Sequence, residues 1–286
     1  MRTVLITNGN LLSLLALGEF LCRYHSEIAA VFVTTRLPSQ KSNLRGVASM
    51  WRRSGYRYTH FKLLTNVLLP RRLRRRGAIP TVVEFLKHLN SQAEFFETAD
   101  INDCTAIDRV RRFRPEILLS FSATSRFCGE LVETPSRVAI NVHYALLPNY
   151  AGLSPYFWYL RNRESECGVT LHQIISRLDA GPIIEQQRFS MEGLRTVFAL
   201  VLRQVACVSP LLNRFYSGET SEQNARPQDP AQRTYFKHPT RQDVAELKRR
   251  GFGFYDRGDL VNVACRLDEL ARLGSSVRSP GAQSAE

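Results

Sequence analysis

The chain has 286 residues, 44% hydrophobic and 23% charged, a balance that can bury one full-sized core and leave some length for a small second unit. No apolar run approaches the roughly 18 residues that span a bilayer, and Asn8-Gly9-Asn10 interrupts the opening before a secretory apolar stretch can form, so a cytoplasmic protein is expected. The formal net charge of +13 favours anionic partners such as phosphorylated substrates, polyglutamylated cofactors, nucleic acid or anionic lipid, without choosing among them.

Thr3–Thr7 is a short β-branched run that ends at Asn8-Gly9-Asn10. An apolar helical segment over 11–24 follows, and Ile28–Thr34 reads as a second strand. Strand, turn, helix and strand at this spacing open a parallel α/β sheet with right-handed crossovers. Residues 36–92 break the rhythm. They hold Trp51, Tyr56, Tyr58 and Phe61, then Leu-Leu-Pro and the cluster Arg71, Arg72, Arg74, Arg75 and Arg76, and read as an inserted, partly helical excursion.

Alternation resumes with the strand Glu94–Thr98, a helix capped by Asp103 and running to Phe113, the buried strand Ile117–Phe121, a short helix at 128–132 and the strand Val138–His143. Strand-like stretches at 168–173 and 183–189 lead into a long amphipathic helix over 196–216. Residues 217–233, rich in Gly, Ser, Gln, Pro and Asn, read as a linker. Thr240 with Asp243 resembles a capping box opening a helix to Arg250, a further helix spans about 259–273, and the last dozen residues read as a disordered tail. The expected organisation is a main domain over 1–216, a linker over 217–233, and a small helical C-terminal extension over 234–286.

Six cysteines at 22, 104, 128, 167, 207 and 265 form no C-x-x-C pair, and the six histidines show no H-E-x-x-H spacing. Reduced structural thiols and no metal are expected.

The chemistry gathers between Ile140 and Gln186. Asn141 and His143 are two apart on a strand, so their side chains leave the same face. Near the end of a sheet they project into the crevice where open α/β sheets bind ligands. An Asn amide can donate to an oxygen that becomes negative without changing its own charge. A His can donate to the same oxygen or exchange protons, and an Asp brought close would hold the imidazole. These are parts for attack on a carbonyl carbon. With no Ser, Cys or Lys placed as a nucleophile, direct attack by a bound amine fits better than a covalent enzyme intermediate.

The surrounding block is Asn141-Val142-His143, Leu146-Leu147-Pro148-Asn149-Tyr150-Ala151-Gly152, Gly168-Val169-Thr170-Leu171-His172 and Leu178-Asp179-Ala180-Gly181, with His143 and Asp179 36 positions apart. It resembles the folate-dependent formyltransferase family, which includes methionyl-tRNA, glycinamide ribonucleotide and sugar-nucleotide formyltransferases. The resemblance is strong over about 115–190, fair over 1–35 and 93–115, and weak through the insertion and past the linker.

The resemblance implies an α/β fold with a Rossmann-like, mostly parallel sheet and helices on both faces, the catalytic domain occupying 1–216. It implies 10-formyltetrahydrofolate as formyl donor. Asn141 and His143 would stabilise the formyl oxygen through a tetrahedral intermediate, and Asp179 would orient His143 and help pass the amine proton out. The backbone around Phe121, Ser122, Ala123 and Thr124 would line the folate pocket, the loop Ile175-Ser176-Arg177-Leu178 would close on the pterin, and Leu147 would pack on the cofactor. The Leu147–Pro148 bond is expected to be cis.

Departures from the family pattern fall on the acceptor side. Tyr144-Ala145 stands where many relatives have Pro-Ser, and Ala151 stands where relatives often place Arg. His172 matches a family position but reads as a structural strand histidine, and Asn8-Gly9-Asn10 reads equally as a phosphate loop or a plain turn.

The expected acceptor is a small, anionic amine, an amino sugar nucleotide or an amino-acid derivative. The alternatives are methionyl-tRNA and a catalytically silent binding protein on the same fold. The 68 residues after Gly218 read as linker, helices and tail rather than a β-barrel module, which disfavours nucleic acid. The arginine cluster is open to three readings: a solvated helix face, a patch for an anionic substrate or polyglutamate, or a peripheral membrane contact anchored by Trp51 and its neighbouring tyrosines.

Overall fold

A computed structural model describes residues 1–34 and 43–278. Residues 36–42 of the expected insertion and 279–286 of the expected tail lie outside the described residues.

Seven strands form one sheet in the order β3-β2-β1-β4-β5-β7-β8. They are β1 (Thr3–Thr7), β2 (Ile28–Thr34), β3 (Glu94–Thr98), β4 (Ile117–Phe121), β5 (Val138–His143), β7 (Glu166–Gln173) and β8 (Ile183–Ser190). The two-residue strands β6 (Ala151–Gly152) and β9 (Tyr235–Phe236) form a separate parallel pair. From β3 to β5 all pairings are parallel, while β7 runs antiparallel to both β5 and β8. The α/β, mostly parallel architecture with helices on both faces is the expected one.

Strand periodicity explains the two cores. Along β1 every residue is buried, Val4 and Ile6 entering one core with Phe32 and Leu118 while Leu5 enters the other with Val31, Leu119 and Ile140. Burial on both faces is what a central parallel strand with helical crossovers requires.

Asn10 caps the helix Leu11–Tyr24 by accepting from the Ser13 backbone at 3.0 Å. Gly18 lets the last helix, Arg257–Arg278, cross closely: a Cβ there would lie 2.6 Å from Leu270 Cδ1 and that side chain would have to shift. An ion pair between Arg266 and Glu19 ties the same two helices. The single helix expected over 196–216 is two, Val197–Ala206 and Val208–Tyr216. Pro210 has no N–H to offer the Ala206 carbonyl, so the hydrogen-bond ladder is interrupted there. Together they form a 20-residue apolar stretch that is mostly buried in the protein body, as a core element would be.

The described part of the insertion is largely helical: Asn43–Leu63, kinked at Gly55 (φ 77°), a π-turn at Leu64–Leu68, Leu69–Arg74, and, after a non-helical stretch, Val82–His88. Tyr58 and Phe61 anchor it in the core, whereas Trp51 and Tyr56 are exposed. The five arginines are exposed too, and Arg74 pairs with Glu84 at 2.9 Å.

The segment over 217–233 is tied down. Glu222 pairs with Arg137 at 2.6 Å, and Arg226 exchanges backbone hydrogen bonds with Ile183 at 2.7 and 2.8 Å. Thr240 and Asp243 form the reciprocal capping box on Arg241–Arg249.

Candidate active site

A cleft of about 300 Å³ opens beyond the carboxyl ends of β1, β4 and β5, bordered there by Asn8, Ser122 and Tyr144. Asn141, His143 and Asp179 all line it.

His143 ends β5 and is buried. Its Nε2 lies 3.0 Å from the Tyr150 carbonyl oxygen. A carbonyl can only accept, so Nε2 carries the hydrogen and Nδ1 is left as the nitrogen that can take up or release a proton. Nδ1 faces Asp179 Oδ1 at 3.7 Å. That is close enough for attraction between charges but too long for a hydrogen bond.

Asp179 is buried in the left-handed conformation, φ 50°, and its other oxygen accepts the Gly152 backbone N–H at 2.9 Å. Ser122, Tyr150 and Ser154 also have positive φ around this site (53°, 57° and 56°), a concentration of conformations that non-glycine residues adopt at a cost.

Asn141 stands directly across the β5–β7 pair from His172, with its Nδ2 3.1 Å from His172 Nε2. The other ring nitrogen, Nδ1, is 2.8 Å from the Gln173 carbonyl oxygen, so it must be the protonated one. Nε2 then accepts, and the Asn141 amide nitrogen is oriented toward it with a second N–H to spare. Burial, outweighing the pull of Asp179, holds His172 down to about 4, so the ring is neutral near neutral pH. The sequence suggested a structural histidine, and the structure gives it a positioning contact to Asn141.

Two loops complete the arrangement. Thr170 Oγ1 donates to the Ala145 carbonyl at 2.5 Å and accepts from Leu147 N at 3.1 Å, which fixes the chain leaving His143. The Leu147–Pro148 bond is cis. The next stretch is held by the C-terminal segment: Tyr150 N donates to Thr234 Oγ1 at 2.8 Å, Ala151 and Gly152 pair with β9, and the Tyr150 ring stacks between Tyr159 and Phe236 at 4.0 and 5.0 Å. The Asp179 loop is gripped by Gln228, which donates to the carbonyls of Asp179 and Gly181, and by Arg233, which donates to that of Leu178. Sequence reasoning missed Tyr150, Gln228, Arg233, Thr234 and Phe236, because their hydrogen bonds go to or from backbone atoms, the ring stacking joins distant parts of the chain, and β9 is too short to show a period.

Of the residues expected at the folate, Ser122, Ala123, Ile175, Arg177 and Leu178 line the cleft. Four others are not in its wall. Phe121 is buried edge-on to Tyr144, Thr124 donates its N–H to Thr34, the Ser176 carbonyl accepts from Arg126, and Leu147 packs with Ala151 and Ile183. Of the two departures from the family pattern, Tyr144 lines the cleft, whereas Ala151 is fully buried and paired with β9. Among the described residues no group of three or more His, Cys, Asp or Glu is arranged to hold a metal.

An Asn–His strand end and an Asp-bearing loop meet in one cleft of an α/β sheet, an arrangement able to serve attack on a carbonyl carbon. The family model described as formyl transferase matches residues 40–200, and the chain belongs to that family. Solved structures share the fold. The sugar 3N-formyl transferase WlaRD, determined in the presence of dTDP and 5-N-formyl-THF, is 17% identical, with 83% of this chain and 70% of that chain covered at a TM-score of 0.53. An N-formyltransferase from Helicobacter canadensis, in complex with folinic acid and dTDP-3-aminofucose, is 18% identical over 85% of this chain and 72% of that chain, TM-score 0.51. Glycinamide ribonucleotide transformylase 1 from Symbiobacterium toebii is 18% identical over 80% of this chain and 94% of that chain, TM-score 0.50.

Proposed function

We propose that this protein is a cytoplasmic enzyme that transfers a formyl group from 10-formyltetrahydrofolate to the amine of a small anionic metabolite, an amino sugar nucleotide or an amino-acid derivative. The observation that carries the reading is the meeting of Asn141, His143 and Asp179 in one cleft, with the His143–Asp179 approach at 3.7 Å.

The cleft suits the donor. Ile175 and Leu178, 40% and 37% exposed, offer apolar side chains to cover a flat ring, and Ser122 and Ala123 supply wall beside them. The donor brings the formyl carbon; the chain does the rest. The spare N–H of Asn141 donates to the formyl oxygen as negative charge gathers there. His143, steered by the Tyr150 carbonyl, presents Nδ1 to the cleft for the proton of the attacking amine. Asp179, pinned by Gly152, lies beside that nitrogen and steadies the proton until it passes to the tetrahydrofolate nitrogen as the bond from that nitrogen to the formyl carbon breaks. The six cysteines, all unbridged thiols, suit a reducing compartment.

The test is incubation of purified protein with 10-formyltetrahydrofolate and a metabolite extract, reading tetrahydrofolate release and searching by mass spectrometry for products heavier by one formyl unit. Both signals are expected with the wild type, and both at least about a hundredfold weaker with His143→Ala. Absence of both from wild type overturns the reading.

A further inference from the structure

Besides the donor side and the three polar residues, the cleft wall includes Asn10, Lys62, Asn66, Ser154 and Tyr156. Lys62 comes from the inserted helix. Its Nζ lies 3.0 Å from Tyr156 Oη and 5.7 Å from the centre of that ring, and it forms no ion pair among the described residues. A half-buried ammonium with N–H groups to spare and no carboxylate beside it is a point charge that an anion entering the cleft can meet.

The neighbouring hydroxyl and imidazole groups form a polar wall with no carboxylate in it. Tyr58 Oη lies 2.7 Å from Ser154 Oγ, and both are within 3.2 Å of His238 Nδ1. His238 is held down to about 4 by burial and then by the charges of Lys62 and Arg53, so it is neutral near neutral pH and brings no compensating charge. Burial would raise Tyr156, but the charge and hydrogen bond of Lys62, with hydrogen bonds from Ser154 and Tyr58, outweigh it and lower the phenol below its usual range. Next to Lys62, Asn66 donates to the Lys62 carbonyl and accepts from the Asn10 amide, both at 2.8 Å, leaving Asn10 a second N–H.

We propose that Lys62, with Tyr156 and Asn10, forms a subsite for an anionic group, phosphate or carboxylate, carried by the acceptor amine. The assignment to an acceptor rests on the formyl-transfer reading above. In this arrangement Lys62 supplies charge and two further N–H donors, Tyr156 fixes the ammonium, and the anion holds the acceptor in the same cleft as His143. The inserted helix thus becomes the element that selects the substrate.

The experiment titrates the full chain at constant ionic strength with inorganic phosphate and, separately, with malonate, following thermal stability, and measures 5-formyltetrahydrofolate affinity in parallel. Wild type, Lys62→Met and Lys62→Arg are compared. Saturable binding of one anion identifies which chemistry the subsite prefers. Its weakening by about tenfold to a hundredfold in the Met variant, its retention in the Arg variant, and equal folate affinity in all three are the expected results. No saturable anion binding in wild type, or equal binding in wild type and the Met variant, overturns the subsite while folate binding keeps the donor reading intact. Anion binding that depends on Lys62 in a protein with no folate affinity overturns the acceptor assignment together with the donor reading.

Discussion

Asn141 and His172 face each other across two antiparallel strands at 3.1 Å, and the neutral imidazole is what keeps the Asn141 amide nitrogen turned toward it. A protonated ring would set Nε2–H against that amide, two donors in contact, and the side chain would turn its oxygen to His172 instead. The relationship therefore couples the orientation of a proposed catalytic donor to the charge of a buried neighbour.

A pH dependence follows. His172 sits near 4 in the folded chain against about 6.5 when unfolded. Below about 6.5 the unfolded state binds the proton more readily, so the stability contributed by the neutral ring is full above about 6.5 and is lost as pH falls through about 4. The gap corresponds to about 3 kcal/mol. Urea unfolding from pH 7.5 to 4 is expected to show this loss, with part of the slope removed in His172→Gln and the remainder, from His238, left in place.

Removing Asn141 or His143 is expected to separate chemistry from folding. Asn141→Ala should lower turnover by about a hundredfold to a thousandfold. His143→Ala should lower it by about a hundredfold to ten-thousandfold. Circular dichroism and the unfolding midpoint should show a folded protein in both, and tetrahydrofolate release provides the rate.

Gly181 tests the Asp179 loop. A Cβ at 181 would run into the Gln173 carbonyl group, whose carbon it would approach to 2.7 Å, so Gly181→Ala must displace backbone two residues from Asp179. Turnover is expected to fall at least tenfold because a misplacement of about 1 Å is costly in a catalytic arrangement. Unchanged turnover would show that the loop position does not matter.

Phe236 and Thr234 test the support from the C-terminal segment. Phe236→Ala removes stacking on both Tyr150 and Trp158, at centroid distances of 5.0 and 4.8 Å. It should cost about 2 kcal/mol in unfolding free energy, less than for a fully buried ring. Thr234→Val removes the 2.8 Å bond to Tyr150 N. It is expected to lower turnover more than stability, as seen by comparing rates with urea midpoints.

The seven sheet strands and the Asn–His–Asp constellation were legible because each leaves a local trace. β1 and β4 are continuous apolar runs, β5 ends in Asn141 and His143, and a glycine-bearing loop follows Asp179. The break at 207 was signalled by Pro210, but the surrounding apolar pattern continues across it. Family position alone does not disclose that Ala151 is buried against β9. Lys62 carries no motif: only folding brings it to Tyr156, 94 positions away.

The pairing of β6 with β9 has a further consequence, for biosynthesis. Asn141, His143 and Asp179 leave the ribosome well before Gln228, Arg233, Thr234 and Phe236, which brace the loops beside them. A nascent chain released as far as residue 220 holds these three side chains without their supports. Assembly of the cleft is therefore tied to late synthesis, and a message truncated after codon 220 would yield a product lacking those braces.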